Sequence, residues 1–236
     1  MQTHNVLNFN SAAALRKTKQ QKRLRETKLH QALDALPPKA GYRAADAGVT
    51  TIHWFTPPEI VEALGGEEGF DVDPCTPEDP SLLPMRTAKR LIPPSEDGLA
   101  TPWPEAAYMF VNAPYGRLMG LWVHKLADHP GGGIALVPAH MDPAWMHDCV
   151  LNHPAASAIA ITRGRLKFVR PTGEPGPSNT TGSIFVAYGP RALRNLKAAC
   201  NSGVIQGKFL EFARLSGGFD GVVANDDVVR EEKAHG

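Results

Sequence analysis

Cysteine is scarce in this chain of 236 residues. There are three, Cys75, Cys149 and Cys200, widely spaced and odd in number. That usage argues against a disulfide framework and suits a reducing compartment. No run approaches the ~18 apolar residues of a membrane-spanning helix. Near the N-terminus the only apolar stretch is Ala12-Ala13-Ala14-Leu15, too short for the core of a secretory leader. There is no CxxC pair, and none of the nine histidines falls into an HExxH spacing, so no metal site is expected. Proline is missing from both ends: all 21 prolines lie between Pro37 and Pro190. A cytoplasmic, globular chain with no membrane partner follows as the expectation, its ends built differently from its middle.

Charge of one sign is not in excess overall, because the formal net charge is +1. It is unevenly distributed. Between residues 11 and 30 stand Arg16, Lys17, Lys19, Lys22, Arg23, Arg25 and Lys28 against one acid, Glu26. Asn10 or Ser11 could cap a helix there, and Pro37-Pro38 must end it. Its first half has no apolar stripe to bury. Residues 1–45 are therefore expected as a basic helical arm, partly flexible and suited to phosphate.

From residue 50 to 190 the pattern alternates. Strands are predicted at 70–73, 107–112, 134–138, 158–161 and 183–188. Helices are predicted at 59–64, at 117–128, at 142–151 with Asp142 as cap, and at 191–200. Thr56 reads as the cap of the first helix, with Pro57 in its first position. Residues 203–218 could add one more strand or helix. The last stretch, 216–236, has clustered charges and reads as a loose tail. Strands alternating with helices predict an α/β fold, a mostly parallel sheet with helices on both faces, over residues 46–215. Ligands of such sheets lie outside the carboxyl ends of the strands, here Asp73, Asn112 and Pro138.

One string stands at such an end: Asn112-Ala113-Pro114-Tyr115-Gly116. An Asn side-chain carbonyl can accept one hydrogen bond from a planar amine. The Ala113 backbone carbonyl, stiffened by Pro114, can accept a second. Two acceptors on one nitrogen aim its lone pair at an electrophile, and the proton leaves as the nitrogen becomes cationic. Tyr115 can stack on the ring bearing the amine, as enzymes do with a base flipped out of a duplex.

Other pieces surround this string in order: Phe55-Thr56-Pro57, Asp73-Pro74, Asp97-Gly98-Leu99 with Trp103 downstream, Leu136-Val137-Pro138, Arg163-Gly164-Arg165-Leu166-Lys167-Phe168, and Gly182-Ser183. The ordered series, over roughly residues 52–190, resembles the phage-type DNA adenine-N6 methyltransferase (Dam-like) family. The resemblance implies a class I methyltransferase (Rossmann-like) sandwich that uses S-adenosylmethionine and acts on double-stranded DNA in a bacterial or phage-infected cell. It implies cofactor contacts from Phe55, Thr56, Pro57, Asp73, Pro74, Asp97 and Leu99. It makes Asn112, Ala113, Pro114 and Tyr115 the catalytic motif, and turns Arg163, Arg165, Lys167 and Ser183 toward nucleic acid.

Two departures from the family pattern are visible. Ala113 stands where Pro is usual, which keeps the working carbonyl but relaxes it. Asp73-Pro74 is not followed by Gly-x-Gly, and six prolines (Pro74, Pro77, Pro80, Pro84, Pro93 and Pro94) separate Asp73 from Asp97, so any helix between them must be short. Two alternatives stay open: the same chemistry on an RNA adenine or a protein glutamine, and a non-catalytic DNA-binding protein on a decayed methyltransferase scaffold. Cys75 lacks an evident His/Asp partner and reads as a packing residue. Trp122 and Trp145 read as core, and His140 as a surface residue.

Overall fold

The computed structural model describes residues 54–176, 181–214 and 220–224. The basic arm expected at 1–45 lies outside them. Eight strands form one sheet: β1 Val72–Asp73, β2 Arg90–Leu91, β3 Met109–Val111, β4 Gly133–Pro138, β5 Ala156–Thr162, β6 Ser183–Tyr188, β7 Gly207–Arg214 and β8 Asp220–Ala224. Their spatial order is β2-β1-β3-β4-β6-β5-β7-β8. The pairs β2/β1, β1/β3 and β3/β4 are parallel, and every pair from β4 outward is antiparallel. Because β6 runs backward between β4 and β5, those two keep a common direction, and six of the eight strands point the same way. This is the α/β sheet that the alternation predicted, of the methyltransferase-like kind that the resemblance implied.

The central strands β3, β4 and β6 are buried at every position. Both faces must therefore be covered, as their unbroken apolar runs require. Helices α1 Pro58–Leu64 and α5 Pro190–Asn201 cover one face. There Ile60, Val61 and Leu64 meet Ala192, Leu196 and Ala199 over Phe110, Ile134, Leu136 and Phe185. Alternation sends Met109, Val111, Ala135 and Val137 to the other face. Helix α3, Met119–Ala127, buries Met119, Trp122, Val123, Leu126 and Ala127. A side chain at Gly133 would meet Leu126, which puts α3 on that second face. Gly132, at φ 66, immediately precedes β4, where a Cβ would collide with the Tyr188 carbonyl, so only glycine fits. A single turn, α2 (Gly66–Gly69), links α1 to β1.

The chain leaves β1 to one side for β2 and then returns to the other side for β3. The crevice between the carboxyl ends of β1 and β3 is thus the topological switch point of the sheet, where ligands of open α/β sheets bind. Between β1 and β3 the helical pieces are the three-residue turns Pro80–Leu82 and Pro94–Glu96, as the six prolines require.

Three expectations are corrected. The helix predicted at 142–151 is one α turn, α4 (Ala144–Met146), running into a π turn, His147–Leu151. Pro143 occupies its cap position and no side chain caps it, so Asp142 has no capping role. Thr56 does not cap α1 either. Pro57 takes the cap position, Pro58 enters the first turn, and no side chain bonds the free amides. Finally, the stretch expected as a loose tail contains β8, whose register with β7 runs from Leu210↔Ala224 to Arg214↔Asp220.

Candidate active site

Asn112 follows β3 directly and so stands at the switch point. Its Nδ2 donates to Thr56 Oγ1 at 3.0 Å, joining segments 56 residues apart. Its Oδ1 accepts no hydrogen bond among the described residues. Ala113 is buried, whereas Pro114 and Tyr115 are exposed. The Tyr115 ring stands edge-on to Phe168, with centroids 6.4 Å apart and planes at 87°. Together they make an aromatic corner just after Asn112, with Tyr115 on its exposed side and Phe168 buried in the core. Burial raises the Tyr115 phenol above its ordinary pKa, and the Ser183 hydroxyl nearby pulls it back. Ser183 itself is fully buried at the start of β6, opposite Pro138. Its backbone is tied to Thr162 Oγ1 in both directions, at 3.3 and 3.0 Å, while its own Oγ lies near the Tyr115 phenol without closing a hydrogen bond among the described residues.

Phe168 reaches this corner from a small hairpin. Val169 pairs with Pro175, and Phe55 joins as a third edge through two hydrogen bonds with Val169, both 2.9 Å. A Cβ at Gly176 would collide with the Trp54 ring, so Trp54 packs flush against the hairpin backbone. Residues 54–56 therefore touch the hairpin and the Asn112 turn at once. Arg163, Arg165 and Lys167 are exposed beside it. They do not lie on a strand: β5 ends at Thr162, and Gly164 at φ 79 turns the chain. The common face that strict alternation would have given them is absent.

On the β1 side of the crevice, Asp73 is buried and doubly engaged. Its Oδ1 accepts from the Cys75 amide at 2.8 Å and its Oδ2 from Thr87 Oγ1 at 2.5 Å. Burial lifts its pKa from 3.8 to about 6, against the pull of those two bonds. Asp73 thus shapes the turn after β1. Pro74, also buried, backs onto the Asp97 loop: a Cβ on Gly98 would collide with the Pro74 carbonyl and lie 2.9 Å from Trp122. Asp97 adopts φ 52, and its Oδ1 accepts from the Leu99 and Ala100 amides at 3.0 and 3.2 Å. Leu99 is buried.

Lys125, on α3, holds this loop from beneath. Its Nζ donates to the carbonyls of Gly98, Leu99 and Thr101 at 3.1, 2.7 and 2.7 Å. The ammonium also sits 4.4 Å from the centre of the Trp103 ring, and Trp103 Nε1 donates to the Gly98 carbonyl at 3.0 Å. Burial lowers the Lys125 pKa from 10.5 to about 8, with Asp97 opposing the drop. Burial raises the Cys75 thiol well above its ordinary range, helped by the Asp73 charge, so it is not an activated nucleophile.

A family model described as DNA N-6-adenine-methyltransferase (Dam) matches residues 49–203, more than half of the chain. The chain belongs to this family. No curated protein and no solved structure matches it. The Dam match spans every residue named above, from Trp54 to Ser183. The structure gathers Thr56 with the Asn112–Tyr115 turn, and Asp73 and Pro74 with the Asp97–Leu99 loop, along one edge of the sheet. Phe55 and Pro57 flank Thr56, Phe55 pairing with the hairpin and Pro57 starting α1.

A Dam-type reaction needs a polar cofactor beside the target amine, and the β1 side of this edge has capacity for one. Thr76 Oγ1, three residues past Asp73, and Nε1 of Trp122, whose ring edge meets Gly98, are buried polar atoms with no partner among the described residues. Asp97 Oδ2 accepts no hydrogen bond among the described residues. These atoms fit a polar ligand, and the engaged carboxylate of Asp73 does not add to them. Among the described residues no group of three or more His, Cys, Asp or Glu is gathered as a metal site, and no helix is long and apolar enough to cross a membrane. Phe168 ends the Arg163–Phe168 segment that the resemblance turns toward nucleic acid, whereas Lys125 was not expected in the site. Lys125 had left a signal, a charge within the apolar stripe Leu118, Leu121, Trp122 and Leu126.

Proposed function

We propose that this protein methylates the N6 amine of an adenine flipped out of double-stranded DNA. The observation that carries the reading is the Asn112–Tyr115 turn at the switch point of the sheet, facing the Tyr115–Phe168 corner. Asn112 Oδ1 and the Ala113 carbonyl accept the two N–H groups of the amine. Their acceptor geometry turns the nitrogen lone pair out of the ring plane, where it is nucleophilic. They also stabilise the positive charge that develops on nitrogen, so the proton departs without a strong base. Tyr115 and Phe168 hold the extruded ring, replacing the stacking lost from the duplex. S-adenosylmethionine supplies the electrophilic methyl group when bound. Its holders in this chain are Phe55, Pro57 and the backbone of Thr56 between them, the Asp73-Pro74 turn, and Asp97 and Leu99, with Thr76 Oγ1 and Trp122 Nε1 as unspent polar capacity. The buried Ser183 hydroxyl, next to the Tyr115 phenol, backs the base site through that ring, and exposed Arg163, Arg165 and Lys167 meet the phosphates.

The test is transfer of labelled methyl from S-adenosylmethionine to adenine-containing duplex DNA. Asn112→Ala should lower turnover roughly 100- to 1,000-fold, with unchanged circular dichroism and cofactor affinity. Transfer to RNA or to a glutamine peptide in preference to DNA would move the chemistry to another amine. DNA binding with no cofactor binding by calorimetry would mark a decayed scaffold. Sequencing methylated DNA from expressing cells gives the recognition site.

A further inference from the structure

We propose that Thr56 is a positioning residue that orients the Asn112 amide, keeping its oxygen toward the target amine. The proposal rests on the reading of Asn112 as an amine acceptor. An asparagine amide carries a donor and an acceptor on one flat group, and the two ends have almost the same shape. Rotated by half a turn, Asn112 would present its NH2 to the NH2 of the base, two donors facing each other. An unsupported amide would populate both orientations, so an amine-accepting asparagine requires a partner for its nitrogen.

Thr56 supplies that partner through a hydroxyl lone pair, which requires its own proton to be turned away from Asn112, because a donating hydroxyl would hold the amide by Oδ1. The 3.0 Å bond from Nδ2 uses the amide donor end and leaves Oδ1 without a hydrogen bond among the described residues. The threonine is buried, with 5% exposure, so water does not compete readily for its hydroxyl. Its backbone is held on both sides. Phe55 is clamped to Val169 by two hydrogen bonds, and the Pro57 carbonyl accepts from the Ile60 and Val61 amides in the first turn of α1. A residue before proline is also confined to extended conformations. The hydroxyl has no capping duty on α1 that would draw it away. The family resemblance gives Thr56 to the cofactor instead, and the two roles predict different data.

The experiment compares Thr56→Val, which keeps the shape but loses the hydroxyl, with Thr56→Ser, which keeps the hydroxyl. Steady-state methylation of duplex DNA is measured at saturating S-adenosylmethionine, and cofactor affinity by calorimetry. Thr56→Val should lower kcat roughly 10- to 100-fold, with KM for DNA and cofactor Kd within about 3-fold, and Thr56→Ser should restore most of kcat. In an Asn112→Asp background both carboxylate oxygens accept, so orientation no longer matters and Thr56→Val should change kcat by no more than about 3-fold. A loss of cofactor affinity with kcat preserved at saturation, or an equal kcat loss in both backgrounds, overturns the proposal. If the wild-type protein transfers no methyl group, the reading of the site fails, and the orientation is judged by NMR alone. The Asn112 side-chain NH2 should exchange slowly with solvent in the wild type and at least about 10-fold faster in Thr56→Val. Equal exchange rates in the two proteins overturn the proposal whatever the activity.

Discussion

Asp73 joins two roles that pull against each other. Its carboxylate organises the turn after β1 through Cys75 and Thr87, yet burial makes its charged form expensive. The sign of the consequence follows from the raised pKa. A group that holds its proton more tightly in the fold than in the unfolded chain stabilises the fold below the unfolded value. That contribution fades as pH rises through the folded value. Stability should therefore decline between about pH 4 and pH 6 and then level off. The decline attributable to Asp73 is about 3 kcal/mol for the shift from 3.8 to about 6. Asp73→Asn keeps an acceptor for the Cys75 amide and offers a donor to Thr87 without the charge. Urea midpoints across pH 4–8 should be flatter for Asp73→Asn than for the wild type, and parallel profiles would refute the assignment. A sequence shows Asp-Pro at a strand end, but not that a threonine 14 residues later closes on the same carboxylate.

At the scale of elements, the loop from Asp97 to Thr101 is a rigid piece made from outside itself. Its carbonyls converge on one ammonium because α3 passes underneath at Lys125, and its backbone lies against the Pro74 carbonyl because residue 98 is glycine. Lys125→Met keeps the stem but removes the charge, leaving three carbonyls short of a donor. The expected loss is about 1–3 kcal/mol, with faster hydrogen exchange at the Leu99 and Ala100 amides and weaker cofactor binding. The lysine pKa is lowered, so the unfolded chain binds more protons between about pH 8 and 10.5. Wild-type stability should gain from Lys125 across that window, and Lys125→Met should lack the gain. Unchanged amide exchange in the variant would show that the loop stands without its lysine. Much at this scale was legible in sequence: the apolar runs of β3, β4 and β6, the helices α3 and α5, and the lack of room for a long helix among the prolines after Asp73. What stayed hidden depends on distant partners. Thr56 before two prolines reads locally as a helix cap, but its hydroxyl is taken by Asn112. Asp142-Pro143 carries the same local signal, and the chain instead makes a short turn that widens into a π turn. The three basic residues at 163–167 alternate on paper, whereas Gly164 turns the backbone beneath them.

For the whole molecule, a net charge of +1 conceals a polarity, since residues 11–30 hold seven basic side chains and one acid. The described body has exposed cations near the site edge, Arg163, Arg165 and Lys167 among them. Two sources of phosphate contact then have different reach. On the proposed reading, the edge cations are expected to act where the base is extruded, and the arm to add attraction that does not depend on sequence. Each phosphate neutralised releases condensed counterions, and the logarithm of affinity falls with the logarithm of salt at a slope of about −0.9 per contact. Removing residues 1–36 should therefore weaken DNA binding most at low salt. If all the excess charge of the arm is engaged, the slope should become shallower by up to about 5. Turnover at saturating DNA should change little, because the Asn112–Tyr115 turn and the Asp97 loop lie in the body. Arg165→Ala should do the reverse on a single site, with a slope change of about 1 at most and a larger effect on turnover if the residue holds the flipped strand. Fluorescence anisotropy of a labelled duplex across 50–300 mM salt separates the two. An unchanged slope in the truncated protein would take the arm out of phosphate binding, and leave the body to hold DNA with the cations around its own active edge.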